Sequence, residues 1–215
     1  MPVRGNQFRN ANSFREEPKF KSAPRQRDSR DKTEALPNFR FTDGRVIKII
    51  GLFFLIISLY FLVAFTSYVF TWQDDQSYVM DSNGGWNNLW KTQKELVEMG
   101  LKQPVVQNWL GKFGALLSHQ FIYELFGIAS FIFIGVFFII GYRMLFKIKV
   151  FSIQKTLGYS FFLLIFCSLT LAFFHGFVSD YPHFLEGEFG FWTNRLLQAQ
   201  IGNAGIAGFL AFAGL

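Results

Sequence analysis

From residue 49 to residue 72 the chain runs for 24 positions without a charged side chain. As an α-helix, at about 1.5 Å per residue, this run reaches roughly 36 Å, enough to cross the hydrocarbon core of a bilayer with some tilt. It is read as a first transmembrane helix. Two further uncharged runs follow at 125–142 and 156–179; Phe121, Ile122 and Tyr123 extend the earlier one backwards across the single Glu124, and the later one ends near His175. A fourth apolar stretch starts at about Ile201 and reaches Leu215 after fifteen positions, fewer than the roughly 20 a spanning helix needs. The expectation is an all-α membrane protein with four transmembrane helices at about 49–72, 122–142, 156–178 and 201–215. The fourth is expected to be truncated, in a fragment of a longer chain. Composition agrees: 51% of residues are hydrophobic and only 17% charged, where soluble domains carry about 25% charged residues spread along the chain.

The net charge of +6 belongs to one region. Residues 1–48 hold twelve Lys or Arg and six Asp or Glu, so 12 − 6 accounts for the whole excess. Residues 1–44 are polar and broken by Pro2, Pro18, Pro24 and Pro37, and they cannot bury enough apolar surface to offset ordering entropy. A disordered basic tail is expected. It is no secretory signal peptide, because the first hydrophobic run begins only after Arg45 and is too long for one. Next to a membrane span, each basic residue is worth about 1 kcal/mol of attraction to an anionic leaflet. Contact with DNA or protein stays open, although Glu16, Glu17, Asp28, Asp31 and Glu34 dilute the patch and nothing in it reads bases.

Basic residues also mark the connection after the second span: Arg143, Lys147, Lys149 and Lys155, with no acid. The connection at 179–200 carries Asp180, Glu186 and Glu188 against Arg195. Lys and Arg concentrate on the cytoplasmic side, so the N-terminus is expected inside and segments 73–121 and 179–200 outside. Within the first of these, Asp74 to Asn88 reads as loop. Trp90, Lys94, Val97 and Leu101 then recur at helical intervals, and Pro104 suits a first helical position. From Trp109, apolar positions 109, 110, 113, 116, 117 and 121 form one face of a helix expected to lie at the membrane surface and lead into span two. Trp72, Trp109 and Trp192 fall at span boundaries, where amphipathic rings anchor. In the fourth stretch Gly202, Ala204, Gly205, Ala207, Gly208 and Ala211 place small residues four apart, a face suited to close helix packing.

Reactive chemistry is sparse. Cys167 is the only cysteine, the three histidines lie in separate elements, and no spacing resembles a zinc site. The only Gly-Lys pair, Gly111-Lys112, lacks the preceding glycine and the following Ser or Thr of a phosphate-binding loop. No catalytic, cofactor-binding or metal-binding residue is therefore assigned. Glu124 and His175 are the polar groups nearest the spans. Each is read as a boundary residue or a helix–helix hydrogen bond, with a proton relay as the functional alternative.

The runs Tyr68-Val69-Phe70-Thr71-Trp72-Gln73-Asp74-Asp75-Gln76, Asn108-Trp109-Leu110-Gly111-Lys112-Phe113-Gly114-Ala115 and Phe121-Ile122-Tyr123 with Phe126-Gly127-Ile128-Ala129 carry a resemblance. In order and spacing, with Gly141-Tyr142-Arg143 and Gly187-Glu188-Phe189-Gly190-Phe191, the segment from Gly44 to Leu215 resembles the N-terminal membrane domain of FtsK/SpoIIIE-type DNA translocases, most of all their Bacteroidetes branch. The resemblance implies a four-span anchor at the division septum of the bacterial inner membrane. It further implies homo-oligomers, hexameric at the motor, and other division proteins as partners. ATP, Mg and double-stranded DNA would be bound only by a cytoplasmic motor C-terminal of these residues, which link chromosome partition to division and are themselves no enzyme. The alternatives are a small transporter or permease subunit working through Glu124 and His175, and a freestanding envelope scaffold.

Overall fold

The structure is a computed structural model describing residues 44–101, 104–148, 152–179 and 181–215. The expected disordered tail lies outside the described residues. All regular structure among those described is helical: α1 (Gly44–Val79), α2 (Gln93–Glu98), α3 (Gly111–Ser118), α4 (Ile132–Phe146), α5 (Ile153–His175) and α6 (Gly187–Ala213). Two 3₁₀ turns, Asp81–Asn83 and Gly85–Trp90, join α1 to α2. Four helical stretches are long and apolar enough to cross a membrane: Gly44–Val79, Gly111–Phe146, Ile153–His175 and Gly187–Ala213.

The spans pair as α1 with α4 and α5 with α6. Helices approach closely in lipid where small residues remove side-chain bulk, and α1 meets α4 at Gly51 and Gly141. A Cβ on Gly51 would lie 2.7 Å from the Leu145 backbone N, and one on Gly141 2.7 Å from the Gly51 carbonyl. Above this crossing, phenylalanines fill the core: Phe61 lies 5.0 Å from Phe65 and 5.3 Å from both Phe121 and Phe137. Phe61 and Phe65 form the main buried cluster with Ala64, Tyr68 and Ile122, and Phe121 and Phe137 pack against it partly buried. The α5–α6 pair packs through Leu169, Ile206 and Leu210.

Three boundaries differ from the sequence expectation. The first is the end of α1, which continues for a further two turns past Trp72 to Val79 through residues expected to be loop. Polarity misleads there, because Asp75 is fully buried and Tyr78 and Val79 pack against Leu96, Ala115 and Leu116.

The second is the start of span two. Residues 104–110 are irregular and Pro104 opens no helix. Helical structure starts at Gly111 and runs on to Phe146, passing through a π-helical segment, His119–Phe126, and a 3₁₀ segment, Gly127–Phe131. The sharp change falls at Gly127 (φ 65°, ψ −147°), a conformation that glycine adopts without a Cβ penalty. The face that α3 buries is its small one, Gly114, Ala115 and Ser118 with Leu116, while Trp109 and Phe113 of the expected apolar stripe are exposed.

The third is the fourth helix. It begins at Gly187 rather than Ile201, so α6 is 27 residues long, beyond the minimum that fifteen residues failed to meet. Glu188, Asn194, Arg195, Gln198 and Gln200 mask its first half in a hydropathy reading. Gly202 (φ 69°, ψ 173°) interrupts the helix at the point where the apolar half starts.

Candidate functional site

Polar side chains gather where the C-terminal half of α1, residues 107–110, the π-helical segment and residues 181–188 meet. The α1 positions Ala64, Tyr68 and Asp75 recur at helical spacing and are all buried. Asp75 accepts the backbone N–H groups of Gln107 (2.6 Å) and Asn108 (3.0 Å) and the hydroxyl of Thr71 (3.1 Å). Asn108 donates its side-chain amide to the Ala64 carbonyl at 3.1 Å, and the Trp109 N–H bonds Ser67 Oγ at 2.9 Å. Four polar contacts thus fix the irregular approach to α3 along one side of α1. A buried backbone donor must find a partner, and here the Asp75 carboxylate supplies that of Asn108 and also takes the part-buried Gln107 N–H.

The three histidines, which sequence alone leaves in separate elements, occur at this same junction. Tyr68 Oη and His119 Nδ1 share a 2.8 Å hydrogen bond, and the His119 ring stacks on Tyr123 at 5.0 Å. The Tyr123 ring lies 6.1 Å from that of His183. His183 Nδ1 is 3.3 Å from Oε1 of buried Glu186, and His175 Nδ1 is 3.0 Å and 2.9 Å from the two oxygens of the same carboxylate. Glu186 is 1% exposed. Both histidines turn the same ring nitrogen to one carboxylate, which makes a hydrogen-bonded triad. Among the described residues no three His, Cys, Asp or Glu are arranged to hold a metal ion.

Hydrogen bonds hold the triad's segment against the 3₁₀ segment and α5, and one further bond ties the 3₁₀ segment back to the π-helical one. The Ile128 N–H donates to the Leu185 carbonyl at 2.9 Å. Ser168 of α5 donates to the Glu186 carbonyl at 2.7 Å, and Ser130 donates to the carbonyl of Phe121. Gly127 and Gly187 face each other's strands of chain so closely that a Cβ on Gly127 would lie 2.0 Å from the Leu185 oxygen and one on Gly187 2.1 Å from the Leu125 oxygen. Both have positive φ.

The residues singled out by sequence are distributed as follows. Glu124 bonds Gln120 Nε2 at 2.5 Å, with His119 Nε2 3.7 Å away, and borders a cleft of about 480 Å³ shared with Asp81, His119, Tyr123 and Glu188. His175 is not among the residues lining that cleft; it points to Glu186 instead. Trp72 is partly buried and stacks on Phe184 at 5.7 Å, whereas Trp109 and Trp192 are exposed. Past Gly202 the inward residues of α6 are Ile206 and Leu210. Ala204, Ala207, Gly208 and Ala211 face outward, with Gly202 and Gly205 between.

Asp75, Asn108, His119, His183 and Glu186 are the contributors that residue-by-residue reading missed. Asp75 carried a legible signal, since it continues the buried stripe of Ala64 and Tyr68 at steps of four and seven. Glu186 and His183 had none, because only the folded chain brings them to His175.

Compared with known families, residues 44–215 match the model of the 4TM region of DNA translocase FtsK/SpoIIIE. No curated protein and no solved structure matches the chain.

Proposed function

The chain belongs to the FtsK/SpoIIIE family, whose 4TM region it carries over residues 44–215, and on that premise we propose that it anchors a DNA translocase at the bacterial division septum. The multi-pass membrane anchor follows from the family and the four apolar helices. Septal targeting, the inner membrane and a cytoplasmic N-terminus are the further steps of the proposal. The observation that carries them is the match itself: it starts at Gly44, where α1 starts, and covers all four spanning helices.

The charge distribution supports the orientation. Arg45 and Lys48 of α1, Arg143, Lys147 and Lys155 lie toward one end of the spans. Toward the other, Lys91, Lys94, Lys112 and Arg195 are interspersed with Asp75, Asp81, Glu124, Glu186 and Glu188, while the ten further Lys or Arg of residues 1–43 precede α1 at the first end. By the positive-inside rule the first end is cytoplasmic. In this reading the ATP-driven motor, with its nucleotide, Mg and double-stranded DNA, is a part distinct from the 4TM region at residues 44–215. The anchor contributes by holding motor subunits in one patch of membrane, which raises their effective concentration without new contacts. Copies of the chain associate through the outward small-residue face of α6, and other division proteins meet the 73–121 segment.

The test is localisation of the full chain fused to a fluorescent protein in dividing cells. A band at the septum that persists for residues 44–215 alone supports the proposal. Uniform membrane fluorescence of the full chain rejects septal targeting. Reading the coding sequence past Leu215 for GxxxxGK[ST] tests the motor separately.

A further inference from the structure

The contacts that hold residues 107–113 to α1 also fix their depth. The Trp109 N–H bonds Ser67 Oγ, the Asn108 side chain reaches the Ala64 carbonyl, and the Phe113 ring lies 5.9 Å from that of Tyr60. A hydrocarbon core takes about 20 helical residues, and any 20 consecutive residues of the uncharged run 49–72 include Tyr60, Ala64 and Ser67. Ser67 therefore stands about 2–8 Å inside the near edge of the core, and about 18 Å short of Val79 at the end of α1. A segment that follows α1 in sequence thus returns to bilayer depth beside it.

The backbone of that segment suits the depth. All five N–H groups from Gln107 to Gly111 have acceptors within the protein. The Asp75 carboxylate takes those of Gln107 and Asn108, and Ser67 Oγ takes that of Trp109. Asn108 Oδ1 takes that of Leu110, and the Asn108 carbonyl that of Gly111. In water an irregular loop can leave such groups to solvent, whereas at membrane depth it persists only where the protein supplies the partners.

The side chains turn outward. Trp109 and Phe113 are exposed, Trp86 packs on Phe113 at 6.0 Å, and Lys112 Nζ donates to the carbonyl of Lys91, which follows the 85% exposed Trp90. Residues 85–113 hold three of the chain's five Trp, and four Lys against two Glu. Tryptophan concentrates where lipid meets water, and net positive charge complements lipid phosphates. Through Tyr60 this edge is continuous with the outward face of α1, where Ile56, one turn away, is exposed within the same uncharged run.

We propose that Trp86, Trp90, Trp109 and Phe113 form one edge seated in the lipid leaflet at this end of the spans. Such seating depends on neither septal targeting nor the direction of insertion, only on α1 crossing the bilayer.

Fluorescence quenching of the full chain in phosphatidylcholine nanodiscs, one copy per disc, tests this. In a Cys167→Ala background a single label is placed by Trp90→Cys, Trp109→Cys or Phe113→Cys, the last of which keeps every Trp. Ser82→Cys, beyond the end of α1, is the control. Phosphatidylcholine carrying a nitroxide near the top of its acyl chain should quench the labels at 90, 109 and 113 about threefold more than the label at 82. Quenching at any of the three no stronger than at 82 would overturn the proposal. So would loss of that quenching once two copies share a disc, because protein rather than lipid would then cover the edge.

Discussion

Asp75 and Asn108, 33 positions apart in the chain, are joined by a 3.0 Å hydrogen bond from the Asn108 backbone N–H to the Asp75 carboxylate. The other carboxylate oxygen takes the Gln107 N–H at 2.6 Å. Asp75→Ala would leave the buried Asn108 N–H without a partner, at a cost of about 1–3 kcal/mol, and would also break the part-buried Gln107 bond. Asp75→Asn keeps one acceptor oxygen and should lose about half as much. Thermal unfolding in detergent measures the loss, and proteolysis at residues 104–110 should accelerate in the same order. Unchanged stability of Asp75→Ala would mean that the clamp contributes little.

The facing glycines predict a sharper effect. Gly127→Ala and Gly187→Ala each combine a positive φ with a Cβ driven into backbone oxygen at 2.0 Å or 2.1 Å. Strain and overpacking together should destabilise each variant by about 2–5 kcal/mol. Gly135→Ala, whose Cβ meets nothing within 4 Å, should be neutral or slightly stabilising. Equal yields of folded protein for all three would show that residues 125–128 and 185–187 are not tightly apposed.

Glycines of α1 and α6 separate fold from assembly. Gly51→Leu should disrupt the α1–α4 crossing and lower the yield of folded protein. Gly208→Leu, with nothing within 4 Å of the added Cβ, should fold normally and reduce self-association in membranes. Gly205 is the poorer choice, because its Cβ would meet Ile201 at 2.8 Å within the same helix. Cysteine cross-linking at positions 204 and 211 reads the result, and an unaltered cross-linking pattern in Gly208→Leu would remove α6 as the contact between copies.

Short helix α2 should respond to acid. The Thr92 side chain accepts the Glu95 N–H at 3.4 Å, and the Glu95 carboxylate accepts the Thr92 N–H at 2.7 Å, a reciprocal cap. Those bonds, the backbone one foremost, lower the Glu95 pKa below its ordinary value. The lowered folded value means that the cap's contribution is complete above the unfolded carboxylate pKa and is lost as pH falls through the folded one. Amide protection in residues 93–98 should therefore decline below about pH 4. Glu95→Gln should remove that pH dependence, and retention of it would assign the transition to another group.

The spans were legible because uninterrupted apolar length is a property of the local sequence. Their ends were less so, since hydropathy treats Asp75 and Glu188 as solvent-seeking wherever they fall. Asp75 is buried because folding supplies two backbone donors, a fact that arises 33 residues away. The start of α6 was hidden for a related reason: its first half is polar and holds the junction rather than meeting lipid on all sides. Glu124 and His175 were identified as isolated boundary groups. His175 meets its partner Glu186 only when the 181–188 segment folds against the end of α5, whereas the bond of Glu124 to Gln120 is a local one, four residues apart on the π-helical segment. The small-residue face of α6 was visible at once, whereas the glycine contact that closes a helix pair lies between Gly51 and Gly141, ninety positions apart.

The break at Gly202 also divides α6 mechanically. A continuous helix acts as a strut, carrying load along its axis because each turn is bonded to the next. One residue out of helical geometry turns the strut into two rods and a joint. Tension or torque applied beyond Gly202 is taken up first by rotation about that glycine, and the Glu186 triad at the far end of the first rod is sheltered from it.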